Sequence, residues 1–389
     1  MMNKFFILLL SACCLLTTAC DKENDETAQG FRIMKADVDL VAGGGTVEVA
    51  LQATGELTAV SGADWCRVIE VTNEKITLLV RANYEYTSRA TQVTVSDGNS
   101  EQKIVVTQEG NIFAPDSDQQ VIRLGNAPSQ TIVRVNSSFD FKVSVQRGID
   151  WLEVPAASKE DGFLLVLKGN KTGNPRACQL LVSTNEGRKF LYYVYQYEVT
   201  DLLGAWGNSR IYVKWDTKDI EDAYPLSATE ISKNVDGEGY TIKMSLANTP
   251  AAQYLKDPAK ATVSLQATYK NGSFVVPIGA AQKDFTVVEE VADEAAEGAS
   301  DGTSDDGAGV VLQTLYGFSV AASSNIYSKG NFGFAPVLYQ DGSVGISFQD
   351  VAGAPESGCY LAIALFDGQQ FLTGTLKDYI LFPDIALFR

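Results

Sequence analysis

The feature that most constrains this chain is a stretch written twice. Asp64-Trp65, Asn83, Arg89 and Gln108 return as Asp150-Trp151, Asn170, Arg176 and Gln196. The offset is 86 without a gap from Val47 to Trp65, 87 at the Asn and Arg, and 88 at the Gln, so the copies differ by single-residue insertions. Repetition at this period implies two similar small domains in tandem. A length of 389 residues leaves room for a third.

Within the first copy, residues 31–110, Val47, Val49 and Leu51 alternate with Glu48 and Ala50, the period of a half-buried strand. Gly43-Gly44-Gly45 before them is turn material. Further strands are expected at Ile76 to Val80, Val93 to Val95 and Ile104 to Val106, with a hairpin at Asp97-Gly98. The second copy, residues 111–199, repeats the scheme through Ile132 to Val135, Phe139 to Val145, Phe163 to Leu167, Gln179 to Ser183 and Phe190 to Gln196, with Glu186-Gly187 where Asp97-Gly98 stood. Short strands at this density predict two β-sandwiches.

The paired Trp65, Asn83, Arg89, Gln108 and Trp151, Asn170, Arg176, Gln196 resemble the BACON family, immunoglobulin-like modules of Bacteroidetes named as carbohydrate-associated and often N-terminal. The resemblance covers both copies and implies association with glycan-degrading systems, without assigning sugar binding to each module. Read from their own chemistry, these positions are mostly structural. A sandwich Trp plugs the core, an Asn bonds its own turn, and an Arg covers apolar surface with its stem while its head meets a carbonyl or carboxylate. Tyr84 and Tyr86 become Lys171 and Gly173, so an aromatic platform there would exist in one copy alone.

Residues 1–19 read as an export signal, with Lys4 as the basic region and Phe5 to Leu16 as an apolar run too short to span a bilayer. Leu16-Thr17-Thr18-Ala19-Cys20 resembles a bacterial lipoprotein signal, which makes Cys20 the expected lipidation site; Cys13 is the alternative. Residues 20–30 are charged and poor in apolar side chains, as a flexible tether is. With the BACON resemblance, they imply an outer-membrane lipoprotein facing outward.

The repeat stops near Thr200, and residues 200–389 form a third, larger antiparallel β domain by pattern. Gly204-Ala205-Trp206 resembles the Gly-x-Trp that opens lipocalin-like barrels, and a sandwich is the alternative. Strands are expected at Ile211 to Trp215, Tyr240 to Leu246, Ala261 to Tyr269, Ser273 to Pro277, Leu312 to Val320, Phe332 to Leu338, Val344 to Phe348, Tyr360 to Phe366 and Phe371 to Phe388. Residues 289–309 are acidic and rich in Ala, Gly and Ser, the composition of a disordered insertion. Aromatic residues are dense around Tyr316 and Tyr327.

The balance of 31 basic against 48 acidic residues gives a net charge of −17, which argues against nucleic acid and anionic lipid surfaces as partners. No histidine is present. Catalytic triads, histidine-ligated zinc and imidazole switching are therefore excluded. Cys66, Cys178 and Cys359 stand alone, most simply as small buried apolar groups, and no spacing calls for a metal or cofactor.

The expected function is that of a non-catalytic surface lipoprotein, anchored through Cys20, whose tandem modules space a region that meets a polysaccharide or glycoprotein glycan. A purely structural spacer or subunit of a surface protein assembly is the first alternative, and a carboxylate-dependent glycoside hydrolase the second. Trp65, Tyr84, Trp151, Trp206, Tyr316 and Tyr327 are the candidate ligand-binding residues, because sugars lie on aromatic faces.

Overall fold

The computed structural model describes residues 30–116, 120–253, 261–278, 281–290, 310–321, 330–354, 359–367 and 375–389. The regular structure of the described residues is almost all β, with helix only in the short turns Val199–Leu202, Asp216–Lys218 and Pro250–Gln253. It divides into two compact units, one ending at Ile112 and one spanning Phe113–Arg389.

The first unit is a β-sandwich of two four-stranded sheets. One is ordered Phe31–Ala36, Gly45–Ala53, Lys75–Val80, Cys66–Val71, and the other Asp39–Leu40, Glu101–Gln108, Arg89–Ser96, Thr58–Ser61. The alternation seen in the sequence explains the layers. Val49, Leu51, Ile76, Leu78, Val80, Val93, Val95, Ile104 and Val106 point inward and form one core. Asp97-Gly98 lies in the expected turn between Arg89–Ser96 and Glu101–Gln108, with Gly98 at φ +89°. Gly44 marks another point where a side chain is excluded. Its φ is +67°, and a Cβ there would lie 2.4 Å from the Val80 carbonyl oxygen.

The second repeat folds on the same plan. Val121–Leu124 runs parallel to Lys189–Gln196, as Asp39–Leu40 runs parallel to Glu101–Gln108 in the first. The sheet continues through Arg176–Thr184 to Phe141–Val145, and Ser129–Val133, Gly162–Leu167 and Leu152–Ser158 form the opposing layer. Trp151, Phe163, Leu165, Cys178, Leu180, Val182 and Val194 fill the space between.

The remainder carries two larger antiparallel sheets. The first orders Gly204–Ala205, Ala228–Lys233, Tyr240–Ser245, Thr262–Lys270, Ser273–Pro277, Asn331–Leu338 and Val344–Gln349. The second orders Ile220–Pro225, Arg210–Trp215, Thr375–Phe382, Cys359–Asp367, Val310–Ala321 and Ala281–Glu290, with Ile385–Ala386 pairing Arg210–Trp215. Ile346 and Leu387 exchange both backbone hydrogen bonds at 2.9 Å and join one sheet to the other. The result is a curled sheet, and among the described residues no pairing closes its far side. Glu289 and Glu290, placed by the sequence reading in the acidic insertion, belong instead to the strand Ala281–Glu290 and pair with Val311 and Val310. Residues 291–309 lie outside the described residues.

The second repeat and this curled sheet share a core. Ala177, Tyr195 and Tyr197 pack with Trp206, Trp215, Leu265, Phe274 and Phe334. Two phenols fasten the junction. The Leu338 amide donates to the Tyr195 hydroxyl at 3.1 Å, and the Tyr197 hydroxyl donates to the Gly272 carbonyl at 2.7 Å.

Candidate functional site

The repeated signature folds into the same small knot in each module. Arg89 and Gln108 face each other across adjacent strands, as do Arg176 and Gln196. Arg89 Nε donates to Gln108 Oε1 at 2.8 Å and Nη2 to the Arg81 carbonyl at 2.8 Å. Arg176 Nε and Nη2 donate to Gln196 Oε1 at 2.9 and 2.7 Å, and Nη2 to the Lys168 carbonyl at 2.7 Å. Each Gln amide then donates to carbonyls of the neighbouring segment, Ala42 in the first module and Gly125 in the second. Asn83 Nδ2 donates to the Thr87 and Glu109 carbonyls at 2.9 Å, and Asn170 Nδ2 donates to Asn174 at 2.9 Å. In both modules the Asn Oδ1 accepts an amide two residues on, which is a turn bond to its own backbone.

The tryptophans close these knots. The guanidinium carbon of Arg89 sits 4.4 Å from the Trp65 ring centroid, and that of Arg176 sits 4.5 Å from Trp151. Such contacts add electrostatic attraction to packing. Desolvation pulls the Arg176 guanidinium below its ordinary value, opposed by the Asp150 carboxylate. A third pair stands outside the repeat. Arg389 lies over Trp206 at 4.6 Å, donates from Nη1 to Gly173 O at 2.9 Å and Asn174 Oδ1 at 2.6 Å, and also reaches Leu203 O.

These placements correct part of the expected ligand surface. Trp151 is 7% exposed and Trp206 1%, and each has an arginine over its ring. Neither offers a sugar a free flat face, because burial and the guanidinium have taken both sides. Trp206 Nε1 is also committed to the Leu202 carbonyl at 3.0 Å. Trp65 is half-buried against its core and covered by Arg89. Tyr84 and Tyr86, at 46% and 67% exposure, stand at the surface as the platform reading requires. Tyr316 belongs to the strand Val310–Ala321, opposite Ala281 and Ala364, but its side chain lies outside the description. Tyr327 and Cys20 lie outside the described residues.

Acrylamide should therefore quench the intrinsic fluorescence weakly, since Trp151, Trp206 and Trp215 are buried. Strong quenching of most of the emission would contradict the packing. Cys66 and Cys178 are buried free thiols, as their isolation in the sequence implied. Burial pushes the Cys178 thiol up to about 12, with Arg176 opposing, so it stays protonated at neutral pH.

Sequence reading missed a recess of about 500 Å³ at the seam of the second repeat and the curled sheet, lined by Val121, Arg123, Leu124, Gly125, Tyr197, Glu198, Tyr269, Asn271 and Gly272. Asn271-Gly272 is a two-residue hairpin turn between Thr262–Lys270 and Ser273–Pro277, with φ of +52° and +79°. Asn-Gly suits a turn in which both residues are left-handed. Glycine is needed for a second reason: a Cβ on Gly272 would come within 2.6 Å of Arg123 Cδ and 2.8 Å of the Tyr197 hydroxyl. The opposite wall is the edge strand Val121–Leu124. Arg123 pairs in register with Tyr195, and its guanidinium lies 5.9 Å from that ring. Burial pushes the Tyr197 and Tyr269 phenols up, with Arg123 opposing in both cases, so both are hydroxyl donors at neutral pH.

Residues 55–109 match the BACON family, described as "Putative binding domain, N-terminal". The chain carries a BACON domain. No curated protein matches the chain. Among solved structures, an endo-fucoidan hydrolase of glycoside hydrolase family 107 aligns at TM-score 0.26 and 10% identity, over 45% of this chain and 30% of its own. A chimeric titin Z1Z2 pair aligns at TM-score 0.28 and 11% identity, over 43% of this chain and 96% of its own. The titin tandem A164–A165 aligns at TM-score 0.22 and 9% identity, over 43% of this chain and 97% of its own. The BACON match lies wholly within the first copy, and the Arg–Trp–Gln–Asn knot is equally present in the second.

Proposed function

We propose that this chain is a non-catalytic surface lipoprotein that holds a glycan, with its repeats acting as rigid spacers. The observation that carries the reading is the duplicated knot. In each repeat the Arg, Gln and Asn of the signature spend hydrogen bonds on one another and on nearby backbone, and the Trp ring lies under the Arg. That chemistry holds a module stiff and leaves ligand contact to other surfaces. The BACON domain at residues 55–109 supports the glycan part through the family's association with carbohydrate systems. The lack of any histidine supports the non-catalytic part, because it removes the commonest acid–base group.

Anchoring is read from the sequence Leu16 to Cys20, with the charged tether behind it. Acyl chains would supply the membrane affinity, each buried CH₂ contributing roughly 0.8 kcal/mol. Cells expressing the full chain and fed a radiolabelled fatty acid should yield labelled protein, and Cys20→Ala should abolish the label. Protease added to intact cells should then degrade the wild-type chain. Undiminished label in Cys20→Ala, or full protection from protease, would overturn the anchored, outward-facing arrangement.

A further inference from the structure

We propose that the recess between the edge strand Val121–Leu124 and the Asn271-Gly272 turn seats an uncharged sugar residue of a polysaccharide. The glycan contact would then lie at the seam of the second repeat and the C-terminal region, on neither signature tryptophan. This inference rests on the glycan-holding reading above and gives it a location.

The lining matches what a sugar ring presents. Neighbouring hydroxyls each donate and accept, so a site for them needs a forked donor, an acceptor and neutral hydroxyl partners within one small space. Arg123 supplies the fork, Glu198 the carboxylate, Tyr269 a hydroxyl, Tyr197 a hydroxyl that is left to accept because its own hydrogen goes to the Gly272 carbonyl, and Asn271 an amide that both donates and accepts. A carboxylate has about four acceptor positions, and the Asn126 amide takes one of those on Glu198 at 3.3 Å. Tyr269 is braced edge-to-face by Tyr240 and Phe274, with centroids 6.2 and 5.3 Å away, which fixes its ring as a wall. The recess lies in the range of roughly 300–1,000 Å³ usual for small-ligand sites.

The site is also preformed. Gly272 admits Arg123 and Tyr197 at distances a Cβ would forbid, and the Tyr197 hydroxyl is tied to the Gly272 carbonyl at 2.7 Å. Glu198 is held from behind, because its amide donates to the buried Asp201 carboxylate at 2.8 Å and Asn126 Nδ2 donates to the same oxygen at 2.7 Å. Groups held in place before binding lose little entropy when the ligand arrives. Arg123 and Glu198 balance in charge at the recess, whereas the whole chain carries −17. A polyanionic glycan would meet that field as repulsion, which selects an uncharged one.

The full chain, purified in detergent, should be retarded by at least one of galactomannan, xyloglucan and mixed-linkage β-glucan in affinity electrophoresis, and not by sulfated fucoidan. Asn271→Gly and Arg123→Met should each weaken that retardation about tenfold in apparent affinity, as expected when a ligand loses a hydrogen bond to a fixed polar group. Asn271→Gly is the decisive variant. Glycine adopts the left-handed turn freely, so the hairpin persists while the amide is gone. A melting curve matching the wild type would confirm that. Equal retardation of wild type and both variants would overturn this site and leave the glycan reading standing. Retardation by fucoidan alone would overturn the uncharged ligand. No retardation of the wild type by any of the four would overturn the glycan reading itself, and the site with it.

Discussion

Trp206→Ala should lower the stability of the unit Phe113–Arg389 by about 3–5 kcal/mol, the usual loss when a large buried aromatic is truncated. Trp206 is 1% exposed and sits in the core shared by the second repeat and the curled sheet. Its removal also strips the ring from beneath Arg389 and leaves the Leu202 carbonyl without its indole donor. Against a typical total of about 5–15 kcal/mol, the loss is a large share. For a unit of this size, a melting midpoint lower by roughly 10 °C is expected. Calorimetry of the full chain would read it. A shift of one or two degrees would mean that Trp206 is not the keystone of this core.

Arg176→Met should cost about 3 kcal/mol, although methionine keeps an apolar stem of similar length. The substitution removes the donors that reach Gln196 Oε1 and the Lys168 carbonyl, together with the cation over Trp151. Gln196 is 0% exposed, so its oxygen would be stranded without a partner. A hydrogen bond to a charged group contributes about 1.5–3 kcal/mol, and a buried acceptor left unmade costs more than the bond itself. Arg176→Lys should recover little, because a single ammonium cannot reproduce the fork. Chemical denaturation of the three proteins would test this. Full rescue by lysine would show that charge, and not the knot's geometry, is what matters.

The sequence was most readable where one strand face is buried and its period unbroken. Val47 to Leu51, Phe163 to Leu167 and Phe190 to Gln196 all became strands, within a residue or two of the expected ends. The Asp97-Gly98 and Glu186-Gly187 turns were legible because glycine meets the positive φ there, +89° at Gly98 and +86° at Gly187. Two edge strands were not. Ile220–Pro225 carries Glu221 and Asp222, and Thr58–Ser61 alternates exposed with half-buried positions, so neither shows an apolar period. Of the strand expected from Phe371 to Phe388, residues 371–374 lie outside the described residues, and the rest forms Thr375–Phe382 and Ile385–Ala386, divided at Pro383-Asp384. Proline there cannot donate to the ladder.

The candidate site was less legible than the fold. The roles of Asn83, Arg89 and Gln108 as internal partners followed from their chemistry, and the same bonds recur at Asn170, Arg176 and Gln196. Burial of Trp206 under the last residue of the chain did not follow, since Arg389 is far away in sequence. The recess draws on positions 121–125, 197–198 and 269–272, which only the packing of repeat against sheet brings together. One local signal pointed toward it: Asn271-Gly272 between two strand patterns.

The hydroxyls of Tyr195 and Tyr197, bonded to Leu338 and Gly272, carry an implication for how such chains can be rearranged by recombination. A copy of the first repeat could be gained, lost or exchanged at Ile112 without touching those bonds. A crossover near residue 199 would strand two phenols and open a shared core. Descendants of this architecture should therefore vary in the number of leading modules while inheriting the final module and its curled sheet as one indivisible cassette.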